Sequence, residues 1–315
     1  MIKKVTITNF VGESVEYKIE GVDVDNNNGI LITEIEGLGP VKADVNMTKL
    51  ATADGEIFNS VRLNGRNIKI KALFTYADTI EEARLSSYKF FPIGKPLTFH
   101  IETDNRIGEV TGRVESNEPT IFSESCEMDV SIVCEDSFLL SPDKDVTLFS
   151  GVEPLFEFNY HDQEEEYNGP EYENEGQEPV TEFGEIVNKK TNTVYYSGDS
   201  EIGCIFEIHA IGLVENVTIY NLRTRERMKI DTDRLNTLTG QKLIAGDTIT
   251  ICTIKGKKSA TLLREGVTTN ILNVLGKTID WFQLAKGDNV FGFVAEYGEE
   301  NIQFKITSQV AYEGV

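Results

Sequence analysis

The stretch Ile57-Phe58-Asn59-Ser60-Val61-Arg62-Leu63-Asn64-Gly65-Arg66-Asn67-Ile68-Lys69-Ile70-Lys71-Ala72-Leu73-Phe74 decides the fold class. Apolar and polar residues alternate through Ile57 to Leu63 and Arg66 to Phe74, the period of a half-buried strand. Asn64-Gly65 between them is the pair best suited to the positive backbone angles of a two-residue type I′ turn, so a local hairpin is expected. Just beyond, Asp78 stands three residues before Glu81 as a capping box. Ile80, Arg84, Ser87/Tyr88 and Phe91 then recur at helical spacing until Pro92 stops the helix. No other segment reads as a long helix. The expectation is a mainly β protein with one long helix, and no histidine, cysteine and carboxylate converge on this stretch as chemistry would require.

Outward from there, strands are expected near 2–10, 15–19, 30–35, 96–102, 106–116 and 126–134, completing an N-terminal domain over residues 1–140. Ser141-Pro142-Asp143-Lys144 reads as a turn or hinge, because Pro and Asp favour turns. The C-terminal domain, 141–315, holds short β-prone runs at Ile202–Ile208, Val214–Tyr220, Arg227–Ile230, Thr248–Ile254, Ser259–Arg264, Asn289–Ala295 and Asn301–Val310. Turn residues separate them, with a hairpin tip at Lys255-Gly256-Lys257-Lys258 and a turn at Arg264-Glu265-Gly266, the pattern of a β-sandwich. No repeat of solenoid or propeller length occurs.

Composition narrows the function. The 315 residues carry a formal charge of −22 and 40% hydrophobic side chains, enough for two cores and wrong in sign for gripping nucleic-acid phosphates. Twelve acidic residues and no Lys or Arg fall between Glu153 and Glu185, more than half of the net charge in about a tenth of the chain. The insertion near 160–183 is too polar to build its own core. It reads either as a solvated loop or as an arm that folds against a basic partner with Tyr160, Tyr167 and Tyr172 as anchors. The opening residues alternate as a strand does, and no apolar run reaches membrane-spanning length, so a soluble chain without a leader is expected. Cys126 and Cys134 would lie roughly 26 Å apart along one strand, too far to bridge. Cys204 and Cys252 read as small buried hydrophobes.

Longer motifs carry a resemblance. Gly37-Leu38-Gly39-Pro40-Val41-Lys42-Ala43-Asp44, Asp54-Gly55, Phe58-Asn59, Arg62 and Arg66-Asn67-Ile68 resemble the N-terminal domain of the distal tail proteins of long-tailed phages. Ile80-Glu81-Glu82-Ala83-Arg84, Tyr88-Lys89-Phe90-Phe91-Pro92, Thr103-Asp104-Asn105-Arg106, Val114-Glu115-Ser116-Asn117-Glu118-Pro119 and Ser131-Ile132-Val133-Cys134 follow in that family's order. The family then continues with a Pro-Asp-Pro-aromatic run, where this chain has Glu135-Asp136-Ser137-Phe138. The second half is similar to the family's galectin-like sandwich through Gly246-Asp247, Lys258-Ser259, Asn270-Ile271-Leu272-Asn273, Trp281, Leu284, Gly287-Asp288-Asn289 and Tyr312-Glu313-Gly314-Val315.

The resemblance implies a structural virion protein of the tail tip. It would form a homo-hexameric ring that docks on the tail tube protein, carries the tail-associated tip protein and receptor-binding protein, and lets DNA through without binding it specifically. On that expectation the polar stretch Gly39–Glu56 is a loop that reaches a neighbouring subunit. Leu38, Pro40, Lys42, Asp54, Arg62, Arg66 and Arg84 are then interface candidates, the arginines also being able to pair with carboxylates inside the domain.

Other chemistry finds less support. Asp23 to Glu34 matches several positions of an EF-hand loop, but strands flank it and Asn28 stands where Gly belongs, so an Asx-rich hairpin loop is the better reading. His100, His161 and His209 lack ligand spacing for zinc, and no cofactor motif is present. An acidic chain keeps a paired-carboxylate glycosidase in view without supporting one. The alternative of a carbohydrate-binding module for cell-wall polysaccharide rests on Trp281, which reads either as a sandwich anchor or as a stacking platform. The sugar-binding strings of galectins themselves are absent.

Overall fold

The computed structural model describes residues 2–18, 30–50, 54–74, 79–120, 127–153, 185–276 and 279–315. Its first half contains β1 (Ile2–Thr8), β2 (Ser14–Lys18), β3 (Ile30–Glu36), β4 (Ala43–Lys49), β5 (Glu56–Leu63), β6 (Asn67–Phe74), α1 (Ile80–Phe90), β7 (Pro96–Thr103), β8 (Ile107–Pro119) and β9 (Glu127–Cys134). Alternation explains which strands are core strands. Val5 and Ile7 of β1, Ile68, Ile70 and Ala72 of β6, Leu97, Phe99 and Ile101 of β7, and Met128, Val130 and Ile132 of β9 all point into one buried cluster. The thirteen-residue β8 pairs with β7 along its first part and with β9 along its second, and a bulge between Val114 and Ser116 marks the passage. The orders β2-β1-β7-β8 and β8-β9-β6-β3 therefore share one strand, and their inward residues close the first core.

The hairpin expected at Asn64-Gly65 does not form. β5 pairs with β4 in a two-stranded sheet of its own, whereas β6 is flanked by β3 and β9. Neither Asn64 nor Gly65 takes a positive φ. A turn preference is local and small, and β6 gains more as a central strand with both edges paired and its apolar face buried. In α1 the cap is Thr79, whose Oγ1 accepts the Glu82 N–H at 3.2 Å, one residue beyond the expected Asp78, which lies outside the described residues. The helix ends where Pro92 requires. Of the expected Ile80, Arg84, Ser87/Tyr88 and Phe91 line, Ser87 and Phe91 are buried, together with Ala83 and Phe90, whereas Arg84 is half-buried and Leu85 and Tyr88 are exposed.

The second half holds β10 (Leu139–Leu148), β11 (Ser150–Glu153), β12 (Glu185–Asn188), β13 (Thr191–Tyr196), β14 (Ile205–Ala210), β15 (Glu215–Asn221), β16 (Arg227–Ile230), α2 (Thr232–Thr239), β17 (Thr248–Cys252), β18 (Ser259–Arg264), β19 (Val267–Asn270), β20 (Gly287–Tyr297) and β21 (Ile302–Tyr312). The β19-β18-β17-β14-β21-β10 sheet and the β13-β20-β15-β16 sheet meet over a second core. Phe206 is its centre, with ring centroids 5.3 Å from Phe282, 5.4 Å from Phe291 and 6.0 Å from Phe304. Each such ring contributes about 2 kcal/mol by leaving water. Between β18 and β19, Glu265 (φ 51°) and Gly266 (φ 79°) make the two-residue turn that their sequence implies.

Two further expectations are corrected. A second helix exists: Asp231 accepts the N–H groups of Asp233 and Arg234, and Gly240 closes α2 in a left-handed conformation. The segment Ser141–Lys144 is no hinge but a bulge inside β10. Ser141 Oγ accepts the Val310 N–H, and Gln309 donates to the Ser141 carbonyl at 2.6 Å. Through β10, which touches β8 at Leu140↔Glu109 and pairs along β21, the sheets of both halves become one of thirteen strands among the described residues.

Candidate functional site

β4 and β5 form a ribbon that takes no part in either core: all eight residues of β5 are exposed, and so are all but the first of β4. Its sequence is nevertheless amphipathic. Ala43/Leu63 and Val45/Val61 are cross-strand pairs on one face, and a bulge at Asn59 brings Phe58 opposite Met47 on that same face. Val45 (55% exposed), Met47 (45%), Phe58 (58%) and Val61 (56%) thus form an uncovered apolar strip. The opposite face carries Asp44/Arg62 and Asn46/Ser60, and Asn59 Nδ2 donates to Thr48 Oγ1 at 2.6 Å. An isolated two-stranded ribbon is marginal in water, and an amphipathic one is completed by covering its apolar side. Within the stretch Gly39–Glu56, expected as a loop, Ala43–Lys49 is therefore the first strand of an exposed two-stranded ribbon. Its alternation of Ala43, Val45 and Met47 with Asp44, Asn46 and Thr48 is the signal that identifies it.

The ribbon leaves the body at a root built around Arg66. This side chain is 1% exposed. Nη1 donates to the carbonyls of Gly37 (2.6 Å) and Gly39 (2.7 Å), and Nη2 to those of Ser137 (3.0 Å) and Glu313 (2.8 Å). Nε has no hydrogen-bond partner. Burial pulls its pKa down from the usual guanidinium value, the neighbouring Cys134 thiol acting in the opposite direction, and a guanidinium keeps its proton at any physiological pH. Asn64 N–H bonds the Lys42 carbonyl at 3.3 Å, and Ser137 Oγ donates to the Asn64 carbonyl at 2.7 Å. The Asn64-Gly65 step is thereby the second leg of the root.

The interface candidates divide accordingly. Leu38 is buried in the first core and Arg66 is spent on backbone carbonyls of its own chain, so neither side chain lies on the surface. Pro40, Lys42, Asp54 and Arg62 are exposed at or on the ribbon. Arg84 is half-buried and lies 3.5 Å from Glu81 on α1. Trp281 is half-buried against the second core, with Lys258 Nζ 4.9 Å from its ring centroid. Tyr160, Tyr167 and Tyr172, with the acidic insertion, lie outside the described residues, as does most of the EF-hand-like run.

Elsewhere, an open cleft of about 340 Å³ lies beside β8 where its partner changes from β9 to β10, lined by Glu109, Arg113, Glu135, Asp136, Lys257 and Gln309. Four of its charges pair across it: Arg113 stands 3.7 Å from Glu135 and Lys257 3.6 Å from Asp136. Among the described residues no three His, Cys, Asp or Glu side chains gather as a metal site, and no helix is long and apolar enough to cross a membrane.

No protein-family model and no curated protein matches the sequence. Solved structures do resemble it. The crystal structure of the Dit protein of phage SPP1, described as a paradigm of the hub adsorption apparatus in phages infecting Gram-positive bacteria, superimposes with a TM-score of 0.62 at 12% identity, over 98% of each chain. A chain of the phage P2 baseplate in its activated conformation with Ca follows at a TM-score of 0.43 and 11% identity, also over 98% of each chain. The first of these likenesses establishes a shared fold along the whole length: this chain folds as that Dit protein does.

Proposed function

We propose that the chain is a structural virion protein of the phage tail tip, a distal tail subunit that turns over no substrate. Copies associate through the β4–β5 ribbon into a hexameric ring seated on the tail tube protein. The tail-associated tip protein and the receptor-binding protein attach to it, and DNA passes through the centre. The ring-forming part is residues 1–140, and the galectin-like part is 141–315. One observation carries this reading: a chain that folds as the Dit protein of phage SPP1 does keeps an amphipathic ribbon uncovered in isolation. A head-to-tail contact, ribbon of one copy on the body of the next, repeats around an axis and closes when the rotation divides a full turn. The net charge of −22 suits a conduit, since a basic lumen would hold phosphates.

Sedimentation and negative-stain imaging of the purified chain test the reading. Rings with a central hole, or a concentration-dependent species near six times 35.2 kDa, are expected. Phe58→Lys with Val61→Glu should abolish that species while the unfolding transition stays in place, since both residues are solvent-facing. A chain that remains monomeric at every concentration, alone and with tube protein, would refute it.

A further inference from the structure

Three segments far apart in sequence meet at Arg66. They are the ribbon root (Gly37, Gly39), the connection between β9 and β10 (Ser137), and the residues after β21 (Glu313), the last 247 positions away. The third segment does more than accept one hydrogen bond. Val315 N–H bonds the Leu38 carbonyl at 3.2 Å, and the Val315 side chain packs on the first core beside Gly108. Gly314 lies directly on Gly39: a Cβ there would sit 2.9 Å from the Gly39 backbone and 3.0 Å from the Leu38 carbonyl oxygen. On the other side of the root, Gly37 takes φ +89°, and a Cβ would meet the Asn67 carbonyl oxygen at 2.0 Å. Backbone contacts therefore clasp the root between the start of β6 and the residues that follow β21.

A buried guanidinium without a carboxylate is stable only while its carbonyl acceptors are in place, because each lost acceptor leaves an N–H desolvated and unpaired. Two of the four carbonyls belong to the root, and a third arrives only when β21 has paired with β10 and delivered Glu313. We propose that residues 313–315 are a latch on the ribbon. Through Arg66 and the Gly39–Gly314 contact they set the direction in which β4–β5 leaves the body, so that a chain presents its ribbon only after its second half has folded. A copy with an unfolded or damaged second half then has a loose ribbon root and is excluded from association. The link from root to association rests on the assembly reading above; the link from latch to root does not.

Hydrogen exchange on the full chain tests it, with Gly314→Val, which pushes the latch off Gly39, and with a chain cut after Tyr312. Loosening of the root should raise exchange of the Asn64 amide and of the Leu38–Lys42 segment by about tenfold or more, with β17 and β20 unchanged, since local opening is separable from global unfolding. Unchanged exchange at Asn64 in both variants, or an increase shared equally by β17 and β20, overturns the latch. Sedimentation of the same samples should show weaker self-association of both variants than of the parent chain. A parent chain that never associates would refute the ring and leave the exchange result to judge the latch alone.

Discussion

Arg106 and Asp199 meet as a two-bond pair across the halves of the molecule, Nη1 to Oδ2 at 2.6 Å and Nη2 to Oδ1 at 3.0 Å. Arg106 belongs to the turn between β7 and β8, and Asp199 to the loop after β13. The guanidinium also lies 4.9 Å from the Tyr312 ring centroid, and Tyr312 packs against both cores. The parallel N–H···O geometry orients one half on the other more strictly than a single ion pair would.

Arg106→Ala and Asp199→Ala should each lower stability, and a double-mutant cycle should give a coupling of about 1 kcal/mol, held down by partial solvent exposure of both side chains. Urea unfolding of the four chains measures it. A coupling indistinguishable from zero would mean that backbone pairing through β10 alone aligns the halves.

Arg264 and Asp247 should matter more. Asp247 is buried, and Arg264 meets it through Nε (2.8 Å) and Nη2 (2.5 Å) while Nη2 also reaches the Lys242 carbonyl. Asp247 further accepts the Ile244 N–H, tying the connection between α2 and β17 to β18. Arg264→Met strands the carboxylate in the interior and should cost about 3 kcal/mol in chemical denaturation.

Thiol labelling should separate the cysteines. Burial pushes the Cys134 thiol up to about 11 and the Cys204 thiol up to about 12. At pH 8 both are uncharged and inaccessible, so iodoacetamide should leave them unmodified in the folded chain and alkylate them in urea. Peptide mapping by mass spectrometry reads the result, and labelling of Cys204 in the native chain would contradict its place in the core.

The Lys190–Glu299 pair, 2.5 Å apart, predicts a pH dependence. Its hydrogen bond from Lys190 holds the Glu299 carboxyl below its ordinary value of 4.5, with the Ala295 amide assisting. A depressed carboxyl stabilises the fold above the unfolded pKa and loses that contribution as pH falls through the folded value. The stability difference between the parent and Lys190→Met should therefore be constant from pH 6 to 9 and shrink below about 4.5. Thermal unfolding across that range checks it; a difference that grows on acidification would reverse the sign.

Much of the fold was legible in the residues. Leu97-Thr98-Phe99-His100-Ile101 reads as a strand because a two-residue period sorts its side chains to opposite faces whatever the neighbours are. Glu265-Gly266 reads as a turn because its angles are set within two residues. The ribbon was legible in part: the alternation from Ala43 to Lys49 was present, but Asp44, Asn46 and the surrounding glycines look like a loop until β5 is known to lack any other partner. Helix α2 was masked by a Thr-rich sequence of poor helix propensity, although Asp231 and Gly240 mark both ends. For Arg66 no local signal existed, since a single arginine at the start of a strand looks like any surface charge.

Periodicity and helix stops are decided by interactions between neighbours, and the chain by itself determined most of the strands, the long helix and its stop, the Glu265-Gly266 turn and a mainly β architecture in two cores. Partner choice was decided only in three dimensions. β6 left β5 for β3 and β9, α1 turned Ala83 and Phe90 inward, and Arg66 found carbonyls from three remote segments. The physical reason is one of scale: a turn preference is worth about 1 kcal/mol, while burying a central strand and satisfying a desolvated guanidinium are worth several.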